Sequence, residues 1–292
     1  MIRTTLLVFL LAAPAAAQEI ETIFDSGFFT EGPAAAPDGS ILFSDITASA
    51  RSKEAGHIWR YDPRTGAVAV FRSPSGMANG LAFDRDGRLV AAEGADRGGR
   101  RVTRTDMKSG RSEVLADSYG GKRLNSPNDL AIDTNGRIYF TDPRYVGKES
   151  IEQPMEAVYR IDPDGTLHRI ITDAGKPNGI AVSPDQKTLY VASTDPDAAI
   201  FAYTLSADGT VSERRVFFDF PAGEYADGLT VDRTGNVYCG CGPAGARVFS
   251  PAGDEIARYA TPGAATNVEL AHGEDALYIT AGRGLYRVRL SR

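Results

Sequence analysis

The stretch Ser126-Pro127-Asn128-Asp129-Leu130-Ala131-Ile132-Asp133-Thr134-Asn135-Gly136-Arg137-Ile138-Tyr139-Phe140-Thr141-Asp142 decides the fold. Leu130 and Ile132 alternate with Asp129 and Ala131, Asp133 to Gly136 is turn-forming, and Arg137 to Phe140 runs out as a second strand. Alternation, a glycine-containing turn and a second apolar run together predict a β-hairpin. The same pattern recurs along the chain, beginning at Glu31, Asn79, Asn128, Asn178 and Asp227, with a weaker sixth copy at Asn267. Successive starts are 48, 49, 50, 49 and 40 residues apart. A period of roughly 40–50 residues with several strands per unit is the mark of a β-propeller.

Each copy is followed by a second hairpin. His57 to Asp62 turns into Ala67 to Phe71, Arg101 to Asp106 into Ser112 to Leu115, and Ala157 to Asp162 into Leu167 to Ile171. Ile200 to Leu205 turns at Asp208-Gly209, and Arg247 to Ser250 at Ala252-Gly253. Four strands per unit and six units predict an all-β, six-bladed propeller. The sixth unit runs out after three strands, ending with Gly284 to Leu290, while Ile20 to Phe24 near the N-terminus has no partner in its own repeat. Pairing these two segments would complete the last blade, close the ring and remove an exposed edge.

The bulk properties agree with one large globular domain. The chain has 292 residues, 42% of them hydrophobic and 24% charged, which excludes a disordered or fibrous protein. A formal net charge of -6 argues against a nucleic-acid partner. Arg3, the apolar run Leu6 to Ala13 and the small residues Ala15 to Ala17 read as a secretory signal peptide spanning 1–17, leaving 18–292 as the propeller of an exported, periplasmic or secreted protein. No later segment is apolar enough to span a membrane. Cys239 and Cys241 are the only cysteines. In an extended strand such neighbours lie about 6.5–7 Å apart at Cα, at or beyond the disulfide limit, so they are expected to be small buried residues.

The first strand of a propeller blade lines the central channel, and its opening residue sits at one mouth. The six opening residues are Glu31, Asn79, Asn128, Asn178, Asp227 and Asn267, each with a side-chain oxygen. A ring of carboxylates and amide carbonyls without Cys or His suits a hard divalent cation, calcium above all. Asn-Gly and Asp-Gly pairs would also serve as plain turn formers. Glu31 favours the ion, since glutamate has no preference for turns and yet shares the register. The histidines His57, His168 and His272 are expected at the surface or in packing, and the chain has no G-x-S-x-G elbow.

On these residues the chain resembles the SMP-30/gluconolactonase/LRE family of calcium-dependent, six-bladed propeller lactonases. The resemblance is carried by Glu31-Gly32-Pro33, Asn125 to Leu130, Phe140 to Pro143, Pro177-Asn178-Gly179 with Ser183-Pro184-Asp185, and Asp227-Gly228. It implies that Glu31, Asn128, Asn178 and Asp227 hold the metal, with magnesium, manganese and zinc as further candidates beside calcium. It also implies a gluconolactonase-like hydrolase whose small-molecule substrate is a lactone or ester, a sugar lactone first, with Asn128 and Asn79 hydrogen-bonding its hydroxyls and Asp227 acting as general base or orienting the attacking water. The cation would polarise the lactone carbonyl. The chain departs from the pattern in two places. Some members have an Arg where Ser126 stands, with Arg123 nearby in sequence, and some continue the second blade as Glu-His-Gly where this chain has Glu93-Gly94-Ala95. The competing expectations are a metal-dependent arylesterase or phosphotriesterase on the same scaffold, and a non-catalytic propeller binding a sugar acid or a protein.

Overall fold

The computed structural model describes residues 19–47 and 55–290. The expected signal peptide lies outside the described residues. Every regular element among them is a strand, and no helix is long and apolar enough to cross a membrane. Six four-stranded antiparallel sheets form the blades, and a two-stranded ribbon, Ser118–Tyr119 with Lys122–Arg123, is appended after the second. The innermost strands are Thr30–Ala35, Ala78–Phe83, Leu130–Ile132, Pro177–Val182, Leu229–Val231 and Ala265–Leu270. The order within each blade follows the chain from the innermost strand outward, except at the junction of the ends. There Ile20–Phe24 pairs antiparallel with Gly284–Arg289 as the outermost strand of the last blade, so the ring closes as expected.

The Asp133 turn shows why the repeated hairpins form. Its carboxylate accepts the N–H groups of Asn135 and Arg137, both at 2.9 Å, and Gly136 takes φ of +82°, which disfavours a residue with a side chain. Asp232 repeats this clamp in the fifth blade through the N–H groups of Thr234 and Asn236.

Both faces of each sheet are covered, because successive residues of a strand point to opposite neighbours. Ile138 and Phe140 pack toward the second blade with Val90, Ala92 and Val102, whereas Tyr139, between them, packs toward the fourth with Ile180, Leu189 and Val191. Six apolar clusters of this kind fill the six gaps between blades. The gap at the closure holds Phe24, whose ring lies 5.4 Å from that of Phe43 and 4.9 Å from that of Trp59.

The cysteines depart from expectation: Cys239 and Cys241 form a disulfide. Their strand ends at Gly240, and beyond its end the chain is no longer held extended, which brings the two Cα atoms to 5.8 Å.

Candidate active site

Hydrogen bonds between neighbouring inner strands set the residues at the channel mouth. The N–H of Gly80 donates to the carbonyl of Asn128 (2.7 Å), that of Gly179 to Asp227 (2.9 Å) and that of Gly228 to Thr266 (2.7 Å). At the other three junctions a hydroxyl does the same work. Ser44 Oγ donates to the Asn79 carbonyl, Thr141 Oγ1 to that of Asn178 and Thr266 Oγ1 to that of Thr30, each at 2.7 Å. The belt therefore crosses all six junctions and fixes the backbone from which the site side chains project.

This belt explains the Asn-Gly and Asp-Gly pairs better than turns do. A Cβ on Gly179 would stand 2.1 Å from the Asp227 carbonyl oxygen, and one on Gly80 would stand 2.4 Å from an Asp129 carboxylate oxygen. Neither glycine has the positive φ of a turn. They are glycines because two backbones approach too closely for a methyl group. Gly179→Ala is accordingly expected to lower the melting temperature by about 5 °C or more, as overpacking does, and to lower turnover by displacing Asp227. A thermal melt and a rate measurement on the one variant check both, and an unchanged melt would refute the close approach.

Glu31, Asn79, Asn128, Asn178 and Asp227 line one cavity of about 360 Å³. Asn267 does not join them. It lines a second cavity of about 370 Å³ beside residues farther along the inner strands, such as Leu81, Leu130, Ile180 and Leu229. The equivalent position in the sixth blade is Thr266, whose carbonyl takes the Gly228 N–H as those of Asn128 and Asp227 take theirs. The short sixth repeat offsets the asparagine by one residue, so the mouth carries five oxygen-bearing side chains from the predicted set. Among the described residues no three His, Cys, Asp or Glu side chains cluster as a metal site, so any donor set here rests on two carboxylates supplemented by amides.

The electrostatics at this floor are one-sided. Glu31 is 4% exposed, and Asp227 keeps one face on the cavity. Burial, with the charges of Asp227 and Asp129, holds the Glu31 carboxyl well above its ordinary value. Burial and Asp129 push Asp227 up to about 8, against the pull of a hydrogen bond from Asn178. No Lys, Arg or His is among the described residues lining the cavity. Asn79 Oδ1 is buried without a hydrogen-bond partner. Two carboxylates without a facing cation, and an amide oxygen lacking a donor, fit a divalent ion bound by oxygen ligands.

Asp129, 5% exposed, lines the second cavity together with Asn267. It accepts the N–H groups of Leu130, Ile180 and Leu229 and the Asn267 side chain, which joins four blades to one carboxylate. Asp142 is fully buried and accepts the N–H groups of Asn125 (2.8 Å) and Ser126 (2.7 Å). Arg100 and Arg144 both donate to the Asn125 carbonyl, at 3.1 and 2.8 Å. The segment leading to Asn128 is thus held by its N–H and C=O groups alike.

Ser126, at the position where some relatives have Arg, lines the cavity and accepts the Ala95 N–H through Oγ (2.9 Å). Arg123 does not replace that Arg. It lies outside the cavity lining, and its guanidinium donates to the Gly99 carbonyl (2.7 Å). Glu93 is buried against Arg72, Arg101 and Thr103 and anchors the start of the following loop, from which Gly94 and Ala95 reach the cavity. None of the three histidines lines it. The sequence reading missed Tyr145, Thr194 and Tyr225. Tyr145 comes from the loop after Asp142, and its hydroxyl bonds Thr194 Oγ1 (2.7 Å) and the Asn178 side chain.

The family described as SMP-30/Gluconolactonase/LRE-like region matches residues 29–283. The chain belongs to this family. It is 32% identical to the gluconolactonase of Zymomonas mobilis over 92% of this chain and 81% of that protein. It is 30% identical to the pentonolactonase of Haloferax volcanii over 87% of this chain and 81% of the relative. The diisopropyl-fluorophosphatase of Loligo vulgaris is 28% identical over 77% and 76%. Among solved structures, the gluconolactonase of Xanthomonas campestris superposes with a TM-score of 0.84 at 33% identity, covering 93% of this chain and 89% of that one. The six blades and their closure are therefore the family's fold.

Proposed function

We propose that this protein hydrolyses a lactone with a divalent cation, calcium first, held by Glu31, Asn128, Asn178 and Asp227. The observation that carries this reading is the pair Glu31 and Asp227 in one cavity with three asparagines and no cationic side chain among the described lining residues. Hard oxygen donors without Cys or His select calcium over softer metals. When bound, the ion supplies Lewis-acid polarisation of the lactone carbonyl. The lactonases among the relatives support the reaction class. The Met1 to Ala17 sequence supports action outside the cytoplasm.

Asp227 is the base in this reading. It takes the proton of the attacking water, while the Asn178 carboxamide orients it by a hydrogen bond. Burial raises its affinity for that proton, and a neighbouring cation opposes the rise, so the two effects bring the carboxylate toward a working range. Asn79, with an unpartnered Oδ1, and Asn128 bind substrate groups at the same floor. The test is hydrolysis of aldonolactones, aryl esters and organophosphates by the purified protein, with calcium and with chelator. Lactone turnover lost on chelation and restored by calcium is expected. Preferential turnover of organophosphates would move the protein toward the Loligo relative, and no turnover of any of them with calcium bound would make it a binding module.

A further inference from the structure

The floor of the cavity is polar, but its walls are not. Above the carboxylates and amides stand Phe29, Ile46, Met77, Tyr145, Val146 and Tyr225. Phe29, Tyr145 and Val146 form an open rim, at 42%, 41% and 39% exposed, whereas Met77 is buried at 2%. The rim is also held in place. The Tyr145 hydroxyl is tied to Thr194 at 2.7 Å, and the Lys176 ammonium lies 4.7 Å from the centre of its ring. A substrate whose carbonyl carbon faces the water that Asp227 deprotonates must direct the rest of itself along these walls.

We propose that the substrate is an uncharged lactone bearing an alkyl chain on the ring carbon beside the ring oxygen, with that chain packed between Phe29, Met77, Tyr145 and Val146. The inference rests on the lactonase reading above and specifies its substrate class. A cavity of about 360 Å³ falls within the roughly 300–1,000 Å³ typical of ligand sites and exceeds what a bare lactone ring fills. Hydroxyls directed at the walls would lose water and find few acceptors, since Ser126 and Thr194 are the only described hydroxyl side chains there besides the two tyrosines. An alkyl chain loses nothing and removes its own surface and that of the wall from water.

The test is a chain-length series on the full, calcium-supplemented protein, with δ-lactones carrying hydrogen, methyl, propyl or pentyl at that carbon and glucono-δ-lactone as the polyhydroxylated comparison. The expected result is a rise in kcat/KM of roughly fourfold per buried methylene up to the pentyl compound, which outpaces glucono-δ-lactone at least tenfold. Phe29→Ser is expected to cut the pentyl-to-unsubstituted ratio about tenfold, mainly through KM. Val146→Thr, nearly isosteric and on the open rim, lowers the same ratio by a smaller factor and serves if Phe29→Ser is insoluble. A flat or falling series, or faster turnover of glucono-δ-lactone than of the pentyl compound, overturns the alkyl assignment and leaves lactone hydrolysis standing. Failure of every lactone with calcium present overturns the underlying reading and this inference with it.

Discussion

Asp227→Asn is expected to lower kcat for lactone hydrolysis by about 10²–10⁴-fold, the range for loss of a general base. The substitution is nearly isosteric and keeps one oxygen toward the cavity, so it tests the charge and the basicity rather than the packing. Asp227's place in the fold depends on its backbone, which the change does not touch. Its carbonyl receives the Gly179 N–H at 2.9 Å, and its N–H donates to the Gly240 carbonyl at 2.7 Å. Removing the Asp227 charge, which helps raise the proton affinity of Glu31, also relieves repulsion in protein free of cation. The variant should therefore melt no lower than the parent in chelator, while calcium stabilises it less. A kcat within threefold of the parent, with the fold intact, would remove Asp227 from the chemistry. Asn79→Ala makes a useful contrast, because a residue that binds substrate without taking a proton should raise KM more than it lowers kcat.

The ring was legible in the sequence because a propeller writes its unit repeatedly, and each copy corrects the reading of the others. The closure was legible for a related reason: an unpaired strand at one end and a three-stranded blade at the other leave one economical solution. The site was legible where a side chain projects from the repeat itself, as Glu31, Asn79, Asn128, Asn178 and Asp227 do. Asn267 was misplaced because likeness of residue type hid a shift of one position, and the Gly228 to Thr266 hydrogen bond that settles the register is invisible in sequence. The glycines after Asn79, Asn178 and Asp227 looked like turn residues because a close inter-blade approach and a turn call for the same amino acid. Tyr145, Thr194 and Tyr225 escaped notice for a different reason. They reach the cavity from outside the inner strands, so no periodic position marks them. The same holds for the disulfide, which depends on where a strand stops rather than on the spacing of its cysteines.

Removal of the cation should destabilise the propeller, and more so at pH 8 than at pH 5. The raised carboxyls make this a matter of sign as well as size. A carboxyl whose pKa is higher folded than unfolded keeps its proton longer in the native state, so stability declines as pH rises from the ordinary carboxylate range through the folded value. Asp227, pushed up to about 8, and Glu31, raised in the same direction, place that decline between roughly pH 4 and pH 8. Asp129 and Asp142, each at about 7, and Glu269, at about 8, add to the slope, mainly through burial. A divalent ion held by Glu31 and Asp227 replaces the proton that these two lose, and at low pH it must first displace it. Calcium at about 100 times its dissociation constant should then contribute about 2.7 kcal/mol, or about 5–10 °C in melting temperature at pH 8. Asp142 and Glu269 titrate whether or not calcium is present, so the calcium-dependent increment isolates the floor of the cavity from the rest of the molecule. Thermal melts in calcium and in chelator at pH 5, 6.5 and 8 measure it. An increment that is absent, or that shrinks as the pH rises, would mean that the buried carboxylates keep company with protons rather than with a metal.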